Sequence, residues 1–253
     1  MIAFLSPARN MQPGRLPAGK LTPLPYPEET RRLVGLLKDC PPWAFEHMLK
    51  LNPELAWEAF TRYQDLDLDR PGTAALLAYK GLAFLHLNPQ DFTAADFAFA
   101  KDHLRIASAL YGLLSPTDAI QPYRLELRSR FKVDGKTLYR FWGDVPFRAL
   151  FASGEPVINL ASREYSQLVY PFLRPGDRFI TCEFLTHVRG KLRTLPSRAK
   201  MARGEMARFI IKNRLEDPEQ LKRFARDGYR FSERLSSSVR FVFVQKEDEW
   251  EMY

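Results

Sequence analysis

The chain has 253 residues, of which 45% are hydrophobic and 13% aromatic, so it can bury a sizeable core and is not expected to be disordered. It has no run of about eighteen apolar residues, and no basic segment precedes the apolar residues Met1–Leu5, which argues against a transmembrane helix and a signal peptide. The 38 Lys and Arg residues against 30 Asp and Glu residues give a formal net charge of +8. The two cysteines are far apart and predict neither a disulfide framework nor a zinc site, so we expect a cytoplasmic protein that does not bind membranes.

Strands and helices are both predicted along the chain. Ile2–Leu5 is a short apolar run that ends at Ser-Pro and predicts a buried strand, while residues 10–27 are rich in proline and glycine and predict a loop. Helices are predicted for Glu28–Lys38, Trp43–Leu51, Pro53–Tyr63, Thr93–Leu113, Arg203–Leu215 and Pro218–Ala225, and strands for Val157–Leu160, Arg178–Leu185 and Arg240–Gln245. Strands at both ends of the chain, with helices between them, indicate a single mixed α/β (α+β) domain over residues 1–253.

The segment from Leu104 to Ile120 resembles a helix-hairpin-helix. The predicted helix that begins at the N-cap Thr93 runs into a tight turn at Tyr111-Gly112, and a second helix is predicted near Thr117. In such a motif the backbone N–H groups of the hairpin face a DNA phosphate, and a tight hairpin requires a positive φ at the glycine. Alternatively, this segment is an ordinary corner of the core.

Positive charge is concentrated in two segments. Between Arg189 and Arg214 there are nine basic residues and one acid, Glu205, so this segment alone carries +8. A second segment, residues 124–140, has six basic residues against two acids. Such clusters indicate a polyanionic partner, although a solvated basic surface has the same composition.

Other polar and aromatic residues have two possible roles each. Tyr123 and Trp142 could stack on bases or sugars, or could pack in the core. Glu126 and Asp144 could serve as an acid and a base, but Glu126 could equally pair with a neighbouring arginine. Residues 159–165, with the sequence NLASREY, follow a predicted strand, where small polar residues often line a site or cap the next helix.

No metal site and no cofactor are predicted. The four histidines have none of the spacings that are typical of metal sites. Glu183 and His187 are four residues apart, but Glu183 falls in the predicted strand Arg178–Leu185, so the two share no helix face. We therefore expect that the protein does not sequester iron directly.

Several of these segments together resemble the YaaA family of peroxide stress proteins, and the order and spacing of the segments make the resemblance specific. It extends over nearly the whole chain: SPAR at 6–9, AYKG at 78–81, LRIASALYGLLSPTDAIQPYRLE at 104–126, FWGD at 141–144, NLASREY at 159–165, AKMARGEMARFIIKNRL at 199–215 and GYRF at 228–231.

The resemblance implies a cytoplasmic bacterial protein of the hydrogen peroxide response that limits free iron and oxidative damage. It also implies a mixed α/β fold with a basic cleft, a helix-hairpin-helix and DNA as partner. By position, the DNA-binding residues would be Arg105, Tyr111, Gly112, Arg124, Lys200, Arg203 and Arg208. Two positions depart from the family pattern: Arg9 replaces the usual Lys, and Leu82 replaces a frequent Asp. Arginine can grip a phosphate but cannot replace a lysine that must lose its proton.

Two hypotheses follow. In the first, the protein binds DNA without regard to sequence, through phosphate contacts, and has no catalytic activity. In the second, it is an enzyme that acts on a nucleotide or on DNA in the same cleft. The catalytic candidates are then Ser6, Lys80, Asp144 and Asn159, and the predicted pocket residues are Ser6, Arg9, Lys80, Trp142, Asn159, Ser162 and Tyr165.

Overall fold

The computed structural model of the chain describes residues 1–245. The strands are β1 Ile2–Leu5, β2 Asn10–Met11, β3 Thr73–Ala74, β4 Tyr79–Lys80, β5 Leu104–Ser108, β6 Gly112–Leu114, β7 Ala119–Ile120, β8 Lys132–Val133, β9 Lys136–Thr137, β10 Val157–Asn159, β11 Phe179–Val188, β12 Lys191–Arg193, β13 Tyr229–Phe231 and β14 Arg240–Gln245. The α-helices are α1 Pro27–Lys38, α2 Pro42–Leu49, α3 Pro53–Asp65, α4 Ala75–Ala78, α5 Leu82–Leu87, α6 Ala94–His103, α7 Leu138–Trp142, α8 Val145–Phe151, α9 Arg163–Ser166 and α10 Pro196–Lys212. Short 3₁₀-helices cover Pro89–Asp91, Tyr170–Phe172, Pro218–Arg223 and Glu233–Leu235.

Eight strands form one mixed sheet in the order β13-β14-β11-β10-β1-β5-β6, with β12 paired to the end of β11. The five strands from β14 to β5 are parallel, and the pairs β13–β14, β5–β6 and β11–β12 are antiparallel. All four residues of β1 are buried, as expected for a strand in the middle of a parallel sheet that is covered on both faces. The sequence-based prediction of a mixed α/β fold is therefore confirmed.

Helix α10 packs closely against α5 because it has a glycine at the contact. A Cβ atom at Gly204 would overlap the carbonyl oxygen of Ala83 and lie 2.8 Å from its carbonyl carbon. The buried face of α10 otherwise carries mainly small and branched apolar residues, including Ala199, Ala207 and Ile210. The missing side chain therefore determines how near the two helices come.

The predicted helix over Thr93–Leu113 is wrong beyond His103. Thr93 and Asp96 do form the capping box, but β5 begins at Leu104 and turns back into β6, with Ser108 opposite Gly112. The residues of this hairpin are almost all buried, and an apolar run of this kind does not distinguish a strand from a helix.

The helix-hairpin-helix interpretation is consequently wrong for this segment. In place of a second helix near Thr117, the buried Asp118 accepts hydrogen bonds from Ser115 N at 2.7 Å and Thr22 Oγ1 at 2.6 Å. Gly112 does have a positive φ, of 76°, and a Cβ atom there would lie 2.8 Å from the ring of Trp142. The segment is thus a corner of the core.

The other predicted elements differ mainly at their ends. Helix α1 begins with Pro27, has acidic residues in its first turn and Lys38 in its last, all of which favour a helix at that place. Helix α10 begins at Pro196, about two turns before the predicted start at Arg203. The predicted helix after Pro218 is a 3₁₀-helix. Among residues 1–245, no helix combines the length and apolar character needed to cross a membrane.

Candidate functional site

A crevice opens where the parallel strands β1 and β10 end. These two strands are neighbours in the sheet. The next strand of this sheet after β1 is β5, which lies on one side of the pair, and the next strand after β10 is β11, which lies on the other side. Ligands of open α/β sheets commonly bind at such a switch point, beyond the carboxyl ends of the strands. Ser6 directly follows β1, and Ser162 is the N-cap residue of α9, shortly after β10.

Hydrogen bonds fix the two loops that form this crevice. Ser6 Oγ accepts from Ser162 N at 2.8 Å and lies 3.2 Å from Ser162 Oγ. Asn159 Oδ1 accepts from Ala161 N at 3.1 Å and from Ser166 Oγ at 3.0 Å. Asn159 is only 2% exposed and does not line the cavity, so it shapes the loop rather than facing a ligand.

The crevice widens into a cavity of about 460 Å³. Five of the residues that line it are basic and two are carboxylates: Arg9, Lys80, Arg124, Lys200, Arg203, Glu126 and Glu164. They come from separate elements. Lys80 lies on β4, where it pairs with Asn10 of β2, and Lys200 and Arg203 lie on α10. The fold thus gathers charges that are far apart in sequence, and the cavity has an excess of positive charge.

One carboxylate lies between two of the arginines. Glu126 Oε1 is 2.8 Å from Arg9 Nε and 3.5 Å from Arg124 Nε, and the side chains of Glu126 and Arg124 are each 14% exposed. The contacts have ion-pair distances but not hydrogen-bond alignment, since Glu126 Oε1 and Arg124 Nε have no hydrogen-bond partner among the described residues. Glu126 therefore holds two guanidinium groups side by side and compensates only part of their charge.

Arg203 is a half-buried cation that makes no ion pair with any residue from 1 to 245. Its Nε is buried and has no hydrogen-bond partner among residues 1–245. Burial lowers the pKa of Arg203, while the nearby Cys182 and Glu183 act in the opposite direction. A guanidinium this far from water is costly unless it is paired, so the arrangement suits an anion bound in the cavity.

Two tyrosines form part of the apolar wall. Tyr123 OH lies 3.0 Å from Tyr79 OH and 2.8 Å from Ser108 Oγ, and burial raises the pKa of Tyr123 to about 12. Burial also raises the pKa of Tyr165 well above its ordinary value. Both phenols are therefore neutral near pH 7, and they can offer a ligand an aromatic edge or a hydrogen bond but not a negative charge.

The cavity brings together five of the predicted pocket residues: Ser6, Arg9, Lys80, Ser162 and Tyr165. Trp142, a predicted pocket residue, and Asp144, a catalytic candidate, do not line the cavity. Trp142 is 1% exposed and donates from Nε1 to Ala109 O at 2.9 Å, because its ring fills the core next to Gly112. Asp144 precedes α8 and pairs with Arg148 at 3.2 Å.

The seven predicted DNA-binding residues are similarly divided. Arg124, Lys200 and Arg203 line the cavity. Tyr111 and Gly112 are buried, and Tyr111 OH donates to Gln121 O at 3.1 Å, so neither can contact a nucleic acid.

The other two arginines are engaged by the protein itself. Arg105 Nη1 donates to the carbonyl oxygens of Lys101 and Leu104 at 2.7 and 2.8 Å, and burial lowers its pKa. Arg208 donates from both Nη atoms to the carboxylate of Asp91, at 2.8 and 2.6 Å. Neither arginine lines the cavity.

The sequence did not single out Glu164 as a residue that lines the cavity. Its Oε1 accepts from Arg128 N at 3.1 Å, and its carbonyl oxygen accepts from Tyr139 OH at 3.0 Å. The position of Glu164 two residues after the N-cap Ser162 was visible in the sequence, but it indicated only a stabilising charge in the first turn of a helix. Its exposure to the cavity depends on contacts with a distant segment.

Comparison with known proteins gives matches over nearly the whole chain. The family model described as "Peroxide stress protein YaaA" matches residues 1–235. A relative from Agathobacter rectalis is 38% identical over 250 residues, which are 97% of this chain and 99% of the relative. A relative from Clostridioides difficile is 35% identical over 247 residues, with 97% and 100% of the two chains covered. Both relatives carry the name UPF0246 protein.

Proposed function

Because this chain belongs to the YaaA family of peroxide stress proteins, we propose that it binds DNA during peroxide stress and thereby limits iron-dependent oxidative damage. The observation that carries the proposal is the excess of cations in the cavity. Arg203 is half-buried, Lys200 on the same helix is exposed, and neither makes an ion pair with a described residue. Cations in this state are suited to phosphate groups, which DNA presents at every nucleotide.

The shape of the site suits a single nucleotide of a DNA strand. A volume of about 460 Å³ lies within the range of pockets that hold small organic ligands. Guanidinium and ammonium groups would contact phosphate oxygens, and the edge of Tyr165 would face the sugar or base. Contacts to phosphate oxygens carry no sequence information, so binding of this kind would depend on the phosphate backbone and vary little with sequence.

The link to iron follows from the electrostatics of DNA. A protein that neutralises phosphates releases the cations condensed around them. Ferrous ions bound near the backbone would be displaced in the same way, which would move the site of peroxide chemistry away from DNA. This route needs no iron site in the protein and requires only the phosphate contacts.

A second candidate is an enzyme that acts on a nucleotide or on DNA in the same cavity. The observation that favours it is the convergence of Ser6, Lys80 and Glu126 with the arginines in one concave site. Such convergence is typical of active sites, whereas a pure DNA binder needs only an open basic surface. Incubation of the protein with single-stranded DNA, duplex DNA and free nucleotides, followed by chromatography, separates the two. A product that is lost in Lys80→Met would favour the enzyme.

The proposal is tested by DNA affinity as a function of salt. We expect the variant Lys200→Ala/Arg203→Ala to bind duplex DNA more weakly, with a slope of log K against log salt that is smaller by about 0.9 for each lost phosphate contact. The matched control is Arg31→Ala/Lys101→Ala, which removes the same charge from exposed positions outside the cavity. Equal losses in both variants would mean that only net charge matters, and no loss in the first would contradict the site.

A further inference from the structure

Three potential metal ligands that are far apart in sequence lie together on the surface formed by α5, α10 and the turn before β13. One nitrogen of His86 and one carboxylate oxygen each from Glu205 and Asp227 lie within 4.8 Å of one another. His86 Nδ1 is 3.1 Å from Glu205 Oε1. None of the three lines the cavity described above. We propose that they form a separate site for a divalent transition-metal ion.

The three ligands are held by contacts that do not involve a metal. His86 is on α5, and Glu205 follows Gly204, the residue at which α10 packs on α5. Asp227 is in a tight turn, with a φ of 47°, and its carbonyl oxygen accepts from Gln245 Nε2 at 2.7 Å. The backbone at all three ligands is thus fixed before an ion binds, and only the exposed Asp227 side chain has to be ordered.

The backbone at Asp227 is fixed by a tight turn. Tyr229 N donates to Arg226 O at 2.8 Å, and both central residues, Asp227 and Gly228, have positive φ. This is the geometry of a type I′ turn, for which Asp-Gly is a preferred sequence. The Asp227 carboxylate makes no hydrogen bond or ion pair within the described part of the chain, so it is available as a ligand.

The donor set indicates the class of ion. An imidazole with two carboxylates suits Mn²⁺, Fe²⁺ or Zn²⁺, whereas Ca²⁺ and Mg²⁺ prefer oxygen ligands throughout. Ligand atoms around such an ion are about 3 Å apart, given metal–ligand distances of about 2.1 Å. His86 Nδ1 and Glu205 Oε1 already have this spacing in their hydrogen bond, whose proton would be released to solvent when Nδ1 binds the ion. A rotation of the exposed Asp227 side chain would complete the site. Three protein ligands leave further positions for water.

The next basic residue of α10 after Glu205 is engaged by another carboxylate. Arg208 follows Glu205 by less than one turn, but its guanidinium is bound by Asp91 through two hydrogen bonds. A dication would thus meet two carboxylate oxygens and an imidazole nitrogen. By joining α5, α10 and the turn at Asp227, it would also brace the wall of the cavity that carries Lys200 and Arg203. The inference does not depend on DNA binding.

The test is metal binding by the full chain after treatment with a chelator. We expect about one Mn²⁺ per chain by equilibrium dialysis, competition by Zn²⁺, and a higher Tm in the presence of either ion. His86→Ala and Asp227→Asn should each weaken binding at least about tenfold, since even the loss of a group that only supports a ligand costs that much. Asn is chosen at 227 because it tolerates a positive φ.

The matched control is His187→Ala, which removes a histidine from β11 and should leave the affinity unchanged. Circular dichroism and the Tm without metal check that each variant folds, and Asp227→Asn decides if His86→Ala does not fold. Absence of Mn²⁺ binding by the wild-type protein would overturn the proposal. So would an affinity that is the same in the wild-type protein and in both site variants, because the ion would then lie elsewhere.

Discussion

The two halves of α10 both carry basic residues, but these residues differ in whether they are paired with carboxylates. Lys200 and Arg203, in the first half, line the cavity and make no ion pair with a described residue. Arg208 and Lys212, in the second half, and Arg214 just beyond it, are all paired with carboxylates. A basic run in a sequence therefore does not give the charge that is available for a partner, because the fold neutralises part of it.

The acids responsible lie near the start of α6. Asp91 binds Arg208, and Asp96 lies 2.8 Å from Lys212 Nζ and 2.7 Å from Arg214 Nη2. Burial alone would raise the pKa of Asp96, but hydrogen bonds from Lys212, Thr93 and Arg214 outweigh it and hold the pKa well below its ordinary value. The second half of α10 is thus fastened to α6, and the first half is left to face the cavity.

The strongest perturbation of this arrangement is Gly204→Ala, at the middle of the helix. The new Cβ would overlap the backbone of Ala83 and push α10 away from α5, so we expect a loss of about 3 kcal/mol, the upper end for overpacking. Urea denaturation measures it. The matched control is Gly35→Ala in α1, where the new Cβ meets nothing within 4 Å and should stabilise by up to about 1 kcal/mol. Equal effects at the two glycines would contradict the close packing of α10 on α5.

A smaller loss of stability is expected when the second half of α10 loses its acidic partner on α6. Asp96→Asn removes the partner of Lys212 and Arg214, and should cost about 1 to 3 kcal/mol, between the values for surface and buried ion pairs. Asp102→Asn, at an exposed position in the same helix, should change stability little. If both variants unfold at the same urea concentration as the wild-type protein, the ion pairs contribute nothing to stability.

The difference in stability between the wild-type protein and Asp96→Asn should depend on pH. Because folding lowers the pKa of Asp96, its stabilisation is complete above the ordinary carboxyl pKa of 3.8 and is lost as the pH falls from there toward the lower pKa of the folded state. The difference in unfolding free energy between the wild-type protein and Asp96→Asn should therefore shrink below about pH 4. A difference that stays constant down to pH 2 would exclude the ionised carboxylate as its cause.

The smallest effects are expected on the salt dependence of DNA binding, which should differ between variants in the two halves of α10. Lys200→Ala should reduce the slope of log K against log salt by about 0.9, since it removes one phosphate contact. Arg208→Ala should leave the slope nearly unchanged, because Asp91 already occupies that guanidinium. Fluorescence anisotropy with one duplex at several salt concentrations measures both variants. A slope that is reduced equally in the two variants would show that the ion pair of Arg208 with Asp91 opens when DNA binds. A slope that is unchanged in Lys200→Ala would contradict its phosphate contact.

The sequence predicted best those elements that are bounded by strong local signals. Ile2–Leu5 is followed by Ser6-Pro7, and Arg240–Gln245 alternates phenylalanine and valine between two polar ends. Both segments are strands with the predicted bounds. The helix from Thr93 was predicted too long because the hairpin after it is almost entirely buried, and a buried run of this kind does not distinguish a strand from a helix. The capping box at Thr93 thus located the start of this helix, whereas its end was placed ten residues too late, at Leu113 instead of His103.

For the site, Ser162 was a candidate because residues 159–165 follow a predicted strand, and Ser6 stands in the SPAR segment of the family resemblance. Both line the cavity, and their roles there stay predictions. Sequence reasoning could not show that Arg208 is paired, because Asp91 is more than a hundred residues away. For the same reason the convergence of His86 and Glu205 was not visible in the spacing of the histidines.

The position of β1 in the sheet has a consequence for how the chain folds. This strand lies between β5, which begins at Leu104, and β10, which begins at Val157. During synthesis β1 therefore leaves the ribosome well before either neighbour exists, with four apolar residues and two unpaired edges. Pairings of such long range slow folding and expose nascent strands to aggregation. We expect refolding in vitro to be slow and to depend on protein concentration, and a chaperone that shields apolar strands to raise its yield.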